Sequence, residues 1–176
     1  MEPNELARFE EVVLPHLDDA YTLARHLVRD EHDAQDVVQE AYLRALKYFR
    51  TFRGGDARAW LLAIVRNRSH TWRRNRRADA VTTEFDEERH SADAAGAGDH
   101  AAADLDRGEA RETVRQALDK LAPEFREVIV LRELQGLSYK EIAEVTGSPV
   151  GTVMSRLSRA RRRLAEALGP FAPEAG

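Results

Sequence analysis

The side chains best equipped for chemistry in this chain are arginines, and their grouping suits them to binding. Six basic residues (Arg66, Arg68, Arg73, Arg74, Arg76, Arg77) and no acid lie between Trp60 and Arg77, and five arginines and no acid lie between Ser148 and Leu164. A guanidinium keeps its proton at any physiological pH and offers a planar fork of donors matched to phosphate oxygens. Two such runs describe two polyanion contacts. Between them, from Ala78 to Arg107, nine Asp or Glu stand against two arginines, in a low-complexity stretch that includes "SADAAGAGDHAAAD". The overall charge of −4 averages segregated blocks, and surface field follows the local charge. That leaves an expectation of two basic surfaces joined by a flexible acidic linker.

Other chemistries find little support. Zero cysteines remove thiol catalysis, disulfides and cysteine-ligated zinc. The six histidines are scattered without a pair at metal spacing, and Gly54-Gly55 lacks the G-x-x-x-x-G-K-[ST] surroundings of a phosphate-cradling loop. Neither an enzyme nor a bound cofactor or metal is expected.

The second arginine run belongs to a recognisable unit. Ser138 and Glu141 are spaced as a capping box, which starts a short helix at Tyr139 that runs to about Thr146. Gly147 supplies the positive φ of a tight turn, Ser148 can cap the next helix, and Pro149 fits that helix's first position. This is helix-turn-helix spacing. In the second helix Val150, Val153, Leu157, Ala160 and Leu164 form a stepped apolar stripe to be buried, and the opposite face presents Ser148, Gly151, Ser155, Ser158, Arg159 and Arg162. Short polar side chains, followed by cations, suit a helix entering the major groove.

Helical periodicity also runs through the rest of the chain. Leu6, Phe9, Val13, Leu17, Ala20, Ala24 and Leu27 recur at three- and four-residue steps, with Pro15 dividing the run into two helices. Ala34, Val37, Val38, Ala41, Ala45 and Phe49 make a second stripe; Asp56 caps a third segment whose buried face is Trp60, Leu61, Ile64 and Val65. After the linker Ala110, Val114, Ala117 and Leu121 form one helix, and Pro123 opens another that ends near Gly136. No stretch alternates as a strand does. The expected fold is all-α: two small helical domains, 1–77 and 108–176, joined by the linker 78–107. On the first domain Asp33, Asp36 and Glu40 gather three carboxylates near one helix face, ready for a basic partner. No apolar run approaches the ~20 residues that cross a bilayer, so no membrane insertion and a cytoplasmic location are expected.

The text "DAQDVVQEAYLRALKYFRTFRGGDARAWLLAIVRNRSHTWRRNRR" resembles the polymerase- and promoter-binding region of bacterial sigma factors of the extracytoplasmic-function group, and "LAPEFREVIVLRELQGLSYKEIAEVTGSPVGTVMSRLSRARRRL" resembles their second domain. The resemblance implies a subunit that binds core RNA polymerase and directs initiation at promoters by reading their −10 and −35 elements. Asp33, Asp36, Gln39, Glu40 and Arg44 would meet the β′ clamp helices, and the second domain the β flap. Phe52, Arg53, Gly54 and Gly55 would lie beside a flipped-out base of the −10 element, with Asn67, Arg66 and Arg73 along the same strand. The −35 duplex would meet Met154, Ser155, Ser158, Arg159 and Arg162, with Ser148, Gly151, Thr152 and Arg156 beside them. Met154 departs from the Lys or Arg common at its position, so the preferred −35 sequence cannot be borrowed from a relative. An anti-sigma factor is an expected further partner. Two rival readings are a regulator that binds DNA without polymerase and a sigma mimic that sequesters an anti-sigma factor.

Overall fold

Arg29 and Asp30 show how tightly the helices are divided. Arg29 takes a left-handed φ of 65° and ends one helix, and the Asp30 carboxylate immediately caps the next by accepting from the Asp33 amide at 2.9 Å. The computed structural model describes residues 1–82 and 102–169, with side chains over 1–81 and 107–169, and no strand occurs among the described residues. The helices are α1 (Pro3–Val13), α2 (Leu17–Val28), α3 (Glu31–Tyr48), α4 (Ala57–Thr82), α5 (Ala102–Asp119), α6 (Pro123–Ile129), α7 (Tyr139–Thr146) and α8 (Val150–Leu168). Pro15 sits in a 3₁₀ turn, Leu14–His16, which separates α1 from α2 as its ring requires. The Asp56 carboxylate accepts from the Ala59 amide at 3.0 Å and starts α4. After Ile129 the α6 ladder widens into a π turn over Val130–Leu134, and Gly136, at φ 68°, ends it.

The first lobe packs α2, α3 and α4 around Phe9, Leu23, Leu27, Val37, Leu61, Leu62 and Val65. In the second, α6, α7 and α8 enclose Val128, Leu131, Leu137, Ile142, Val153 and Leu157. The ends of the expected linker are helical: α4 continues to Thr82 and α5 has begun by Ala102. Alanine has the highest helix propensity, so low complexity there did not preclude a helix. Residues 83–101, the rest of that expected linker, lie outside the described residues. The expected stripe on α8 also needs one correction. Val150, the first residue of the helix, remains 41% exposed, since the end of a helix has fewer neighbours to cover it.

The lobes pack directly on one another, α4 against α7 and α2 against α6. Glu127, on α6, has a side chain only 1% exposed, and both its partners come from α4. Arg66 donates to it twice, Nε at 2.8 Å and Nη2 at 3.1 Å, and His70 Nε2 lies 2.9 Å away. Arg66 and His70 are four residues apart and so share one face of α4. Further along, Arg58 pairs with Asp19 at 2.7 Å and also donates to the Gln135 carbonyl, while Gln135 Nε2 donates to the Asp19 carbonyl at 2.6 Å. Burial pushes the Glu127 carboxyl up, but the hydrogen bonds from His70 and Arg66 outweigh it and hold the group below the ordinary 4.5.

A carboxyl depressed by folding stabilises the folded state fully above its unfolded pKa and loses that contribution as the pH falls through its folded one. Acidification below 4.5 should therefore loosen the lobes before either core unfolds. At neutral pH, Glu127→Gln should cost about 3 kcal/mol in urea unfolding, the low end for a broken buried pair because Arg66 and His70 can still turn towards water. The chain has no cysteine, so spin labels at introduced Glu11→Cys and Glu144→Cys, both exposed, would report the separation. In Glu127→Gln the distance distribution should broaden; an unchanged, narrow distribution would show that the pair does not hold the lobes.

Candidate nucleic-acid interface

The α7–turn–α8 unit presents its outward face because each of its ends is fixed locally. Ser138 Oγ accepts from the Glu141 amide at 3.1 Å and the Glu141 carboxylate accepts from the Ser138 amide at 2.9 Å, a complete capping box. Gly147 closes α7 at φ 65°, its amide donating to the Ala143 carbonyl. The N-cap of α8 is Pro149, not Ser148; Ser148 Oγ instead accepts from Arg156 Nη1 at 3.1 Å. With Val153, Leu157 and Ala160 buried against the lobe, Gly151, Met154, Ser155, Ser158, Arg159 and Arg162 lie exposed, and Ser148, Thr152 and Arg156 half-buried at their edge. Among the described residues Arg159 and Arg162 make no ion pair or side-chain hydrogen bond. The flanking arginines are engaged: Arg161 with Glu133 at 2.8 Å, and Arg163 over the Phe125 ring at 4.9 Å. On α8 the arginines without such partners are those on the outward face.

On the first lobe the expected −10 residues fall into two groups. Arg53, Gly54, Gly55 and Asn67 are exposed, and the loop needs both glycines, at φ 90° and 93°, where a side chain would be strained. Asn67 borders a depression of about 380 Å³ that Arg66, His70, Thr71 and Arg74 complete. Phe52 is half-buried, its ring centre 5.1 Å from that of Trp60 and 6.0 Å from that of Phe49. Arg66 and Arg73 instead turn towards the second lobe, Arg66 into its pair with Glu127 and Arg73 into a groove between the lobes. Burial, then Arg77 and Arg29, lower the Arg73 pKa. Trp72 lines that same groove under the Arg76 guanidinium, 5.0 Å from its ring.

Helix α3 shows what sequence spacing could not. Asp33 is half-buried and paired with Arg76 at 2.7 Å, whereas Glu40 stays exposed and only touches Arg68, at 3.4 Å. Burial, together with Asp30 and Asp36 nearby, raises the Asp33 pKa despite Arg76. Asp36, Gln39 and Arg44 remain exposed, and beside them is Leu43, 56% exposed, which periodicity alone passed over. His70, Arg126 and Glu127 were missed as well; the signal for Glu127 was its place beside Val128 and Ile129 in a segment too apolar to have a solvent face. Among the described residues no three His, Asp or Glu side chains gather where they could hold a metal, and no helix is long and apolar enough to cross a membrane.

Comparison with known proteins agrees with this geometry. Residues 12–78 match the family model for sigma-70 region 2, and residues 111–164 that for sigma-70 region 4. The RNA polymerase sigma-H factor of Pseudomonas aeruginosa is 38% identical over 95% of this chain and 89% of its own length. The ECF RNA polymerase sigma-E factor of Escherichia coli is 35% identical over 79% and 75%. Among solved structures, the sigma factor RpoE in complex with the anti-sigma factor NepR, from Bartonella quintana, superposes with a TM-score of 0.74 at 29% identity, over 92% of this chain and 96% of that one. With both regions matched in order and relatives aligned over most of their own length, the chain belongs to the extracytoplasmic-function sigma factors of the sigma-70 family.

Proposed function

We propose that the two lobes divide the work of promoter-directed initiation, with the polymerase supplying the chemistry of RNA synthesis. The exposed face of α3, Asp36, Gln39, Glu40, Leu43 and Arg44, docks on core polymerase at the β′ clamp helices, where Leu43 adds apolar area to a charged contact. The second lobe approaches the β flap and lays the outward face of α8 in the major groove of the −35 element. Arg53, Gly54, Gly55 and Asn67 meet the non-template strand of the −10 element. Arg66 and Arg73 join them only when the lobes part, since in the closed arrangement both face the second lobe. An anti-sigma factor is a fitting regulator, in keeping with the complex in which the Bartonella relative was solved.

The observation that carries this reading is the unpaired state of Arg159 and Arg162, among the described residues, on a helix whose opposite face is buried in its own lobe. A helix held by its own lobe, with two cations left to the solvent, is poised for phosphate or guanine. Purified core polymerase given this protein should initiate RNA at discrete new start sites across a genomic fragment library. Initiation no different from that of core alone would refute the reading. Arg159→Ala and Arg162→Ala should each weaken promoter binding by about 1–3 kcal/mol if they read a base, or reduce the salt slope by about 1 if they hold a phosphate. Capture of core polymerase by either variant should be unchanged. A loss of capture equal to the loss of promoter binding would place these residues at the polymerase instead.

A further inference from the structure

A groove of about 710 Å³ runs between the lobes, away from the α8 face. Arg29, Arg73 and Arg77 line it from the first lobe, and Lys120, Arg126 and Arg163 from the second. Arg76, already paired with Asp33, joins them, and Asp119 is the one carboxylate among the lining residues. Arg29 takes up part of that single negative charge, Nε to Asp119 Oδ1 at 3.9 Å. Among the described residues Arg73 and Arg77 have no ion-pair or hydrogen-bonding partner.

Arg126 makes this more than a basic surface. It is wholly buried. Its Nε donates to the Leu118 carbonyl at 3.0 Å and Nη2 to those of Asp119 and Leu121 at 3.2 and 2.7 Å, which caps the end of α5. Its Nη1 is buried with no acceptor. Burial first, then Arg29 and Arg73, pull its pKa down to about 10. A water molecule could satisfy one orphan donor but would leave the field of the facing cations intact. An anion relieves both, and a multivalent one can reach both walls.

We infer that this groove binds an oligophosphate, with Arg73 of α4 and Arg126 of α6 as its anchors on opposite lobes, and that the bound ligand holds the lobes together. Guanidinium forks match phosphate oxygens, the volume falls in the range of nucleotide-sized sites, and Trp72, Leu27 and Pro123 give the groove an apolar wall for the remainder of such a molecule. The inference does not depend on the promoter reading, because its test uses neither polymerase nor promoter.

Titration of the full chain with inorganic tripolyphosphate, at constant ionic strength in a calorimeter, should give saturable one-to-one binding. The distance distribution between labels at Glu11→Cys and Glu144→Cys should narrow on saturation. The double variant Lys120→Ser/Arg163→Ser, which alters two exposed side chains, should weaken the affinity at least tenfold. Arg126→Met should abolish binding. If circular dichroism shows that Arg126→Met is unfolded, the double variant carries the test alone. Arg111→Ser, an exposed charge outside the groove, controls for net charge and should leave the affinity unchanged. GTP reproducing this pattern would identify the source as a soluble nucleotide; a ten-nucleotide single strand doing so where GTP fails would identify it as nucleic-acid phosphate. Both results uphold a phosphate site. Non-saturable binding, or saturable binding that survives the groove variants or loses as much in Arg111→Ser, would overturn it, and binding without narrowing would overturn the bridging role.

Discussion

A carboxylate with 1% of its side chain exposed cannot remain ionised without partners, and Glu127 has both of its partners on the other lobe. Much of the arrangement of this chain depends on that constraint. Helix α4 is its spine: Leu61, Leu62 and Val65 complete the core of the first lobe, and one turn later Arg66 and His70 reach out of that core to satisfy α6. Because the helix is continuous, the angle at which it leaves the first core fixes where the second lobe sits. The Arg58–Asp19–Gln135 network secures the same contact nearer the start of α4.

The apolar core extends across both lobes, yet the directional contacts between them are polar. Such an interface opens at less cost than one sealed by side chains alone, since water can replace each hydrogen bond as it breaks. On the function proposed above, that matters for the first lobe, whose arginines would be shared between two tasks. Arg66 neutralises Glu127 when the lobes are closed and is released when they part. The α8 face is under no such restriction, because Val153, Leu157 and Ala160 fasten it to its own lobe from the opposite side. Closure thus covers part of α4 while leaving the outward face of α8 available.

Local features were the ones legible in the sequence. The Ser138–Glu141 box, the left-handed Gly147, the Asp56 cap and the break at Pro15 each depend on a few neighbouring residues, and each lies where spacing placed it. Features set by packing were not. Ser148 had the right chemistry for an N-cap, but Pro149 took the position and left the serine hydroxyl to Arg156. Asp33 reads as a surface acid because the arginine that pairs with it and half covers it is 43 residues away. Nothing in the residue types of Arg126 and Glu127 marks them as buried; the helices packed against α6 bury both. Of the expected site residues, those on the outward face of α8 were legible from helical geometry. Those on α4 were divided by a lobe contact to which no periodicity points.

The same contact bears on how an acidic protein comes to hold nucleic acid. Cations gathered on α4 repel one another, and the first lobe offsets part of that cost with Asp33 and Glu40 of α3, while the second lobe offsets more with Glu127. On the function proposed above, nucleic acid would replace the second contribution without disturbing the first, since α3 and α4 are packed within one lobe and α6 is not. The internal pairs keep α4 folded when the lobes separate, and the pair across the lobes supplies the exchangeable part. A net charge of −4 is therefore compatible with strong local attraction, because the acid that neutralises Arg66 sits on the other lobe and, on the reading proposed above, would be given up for phosphate.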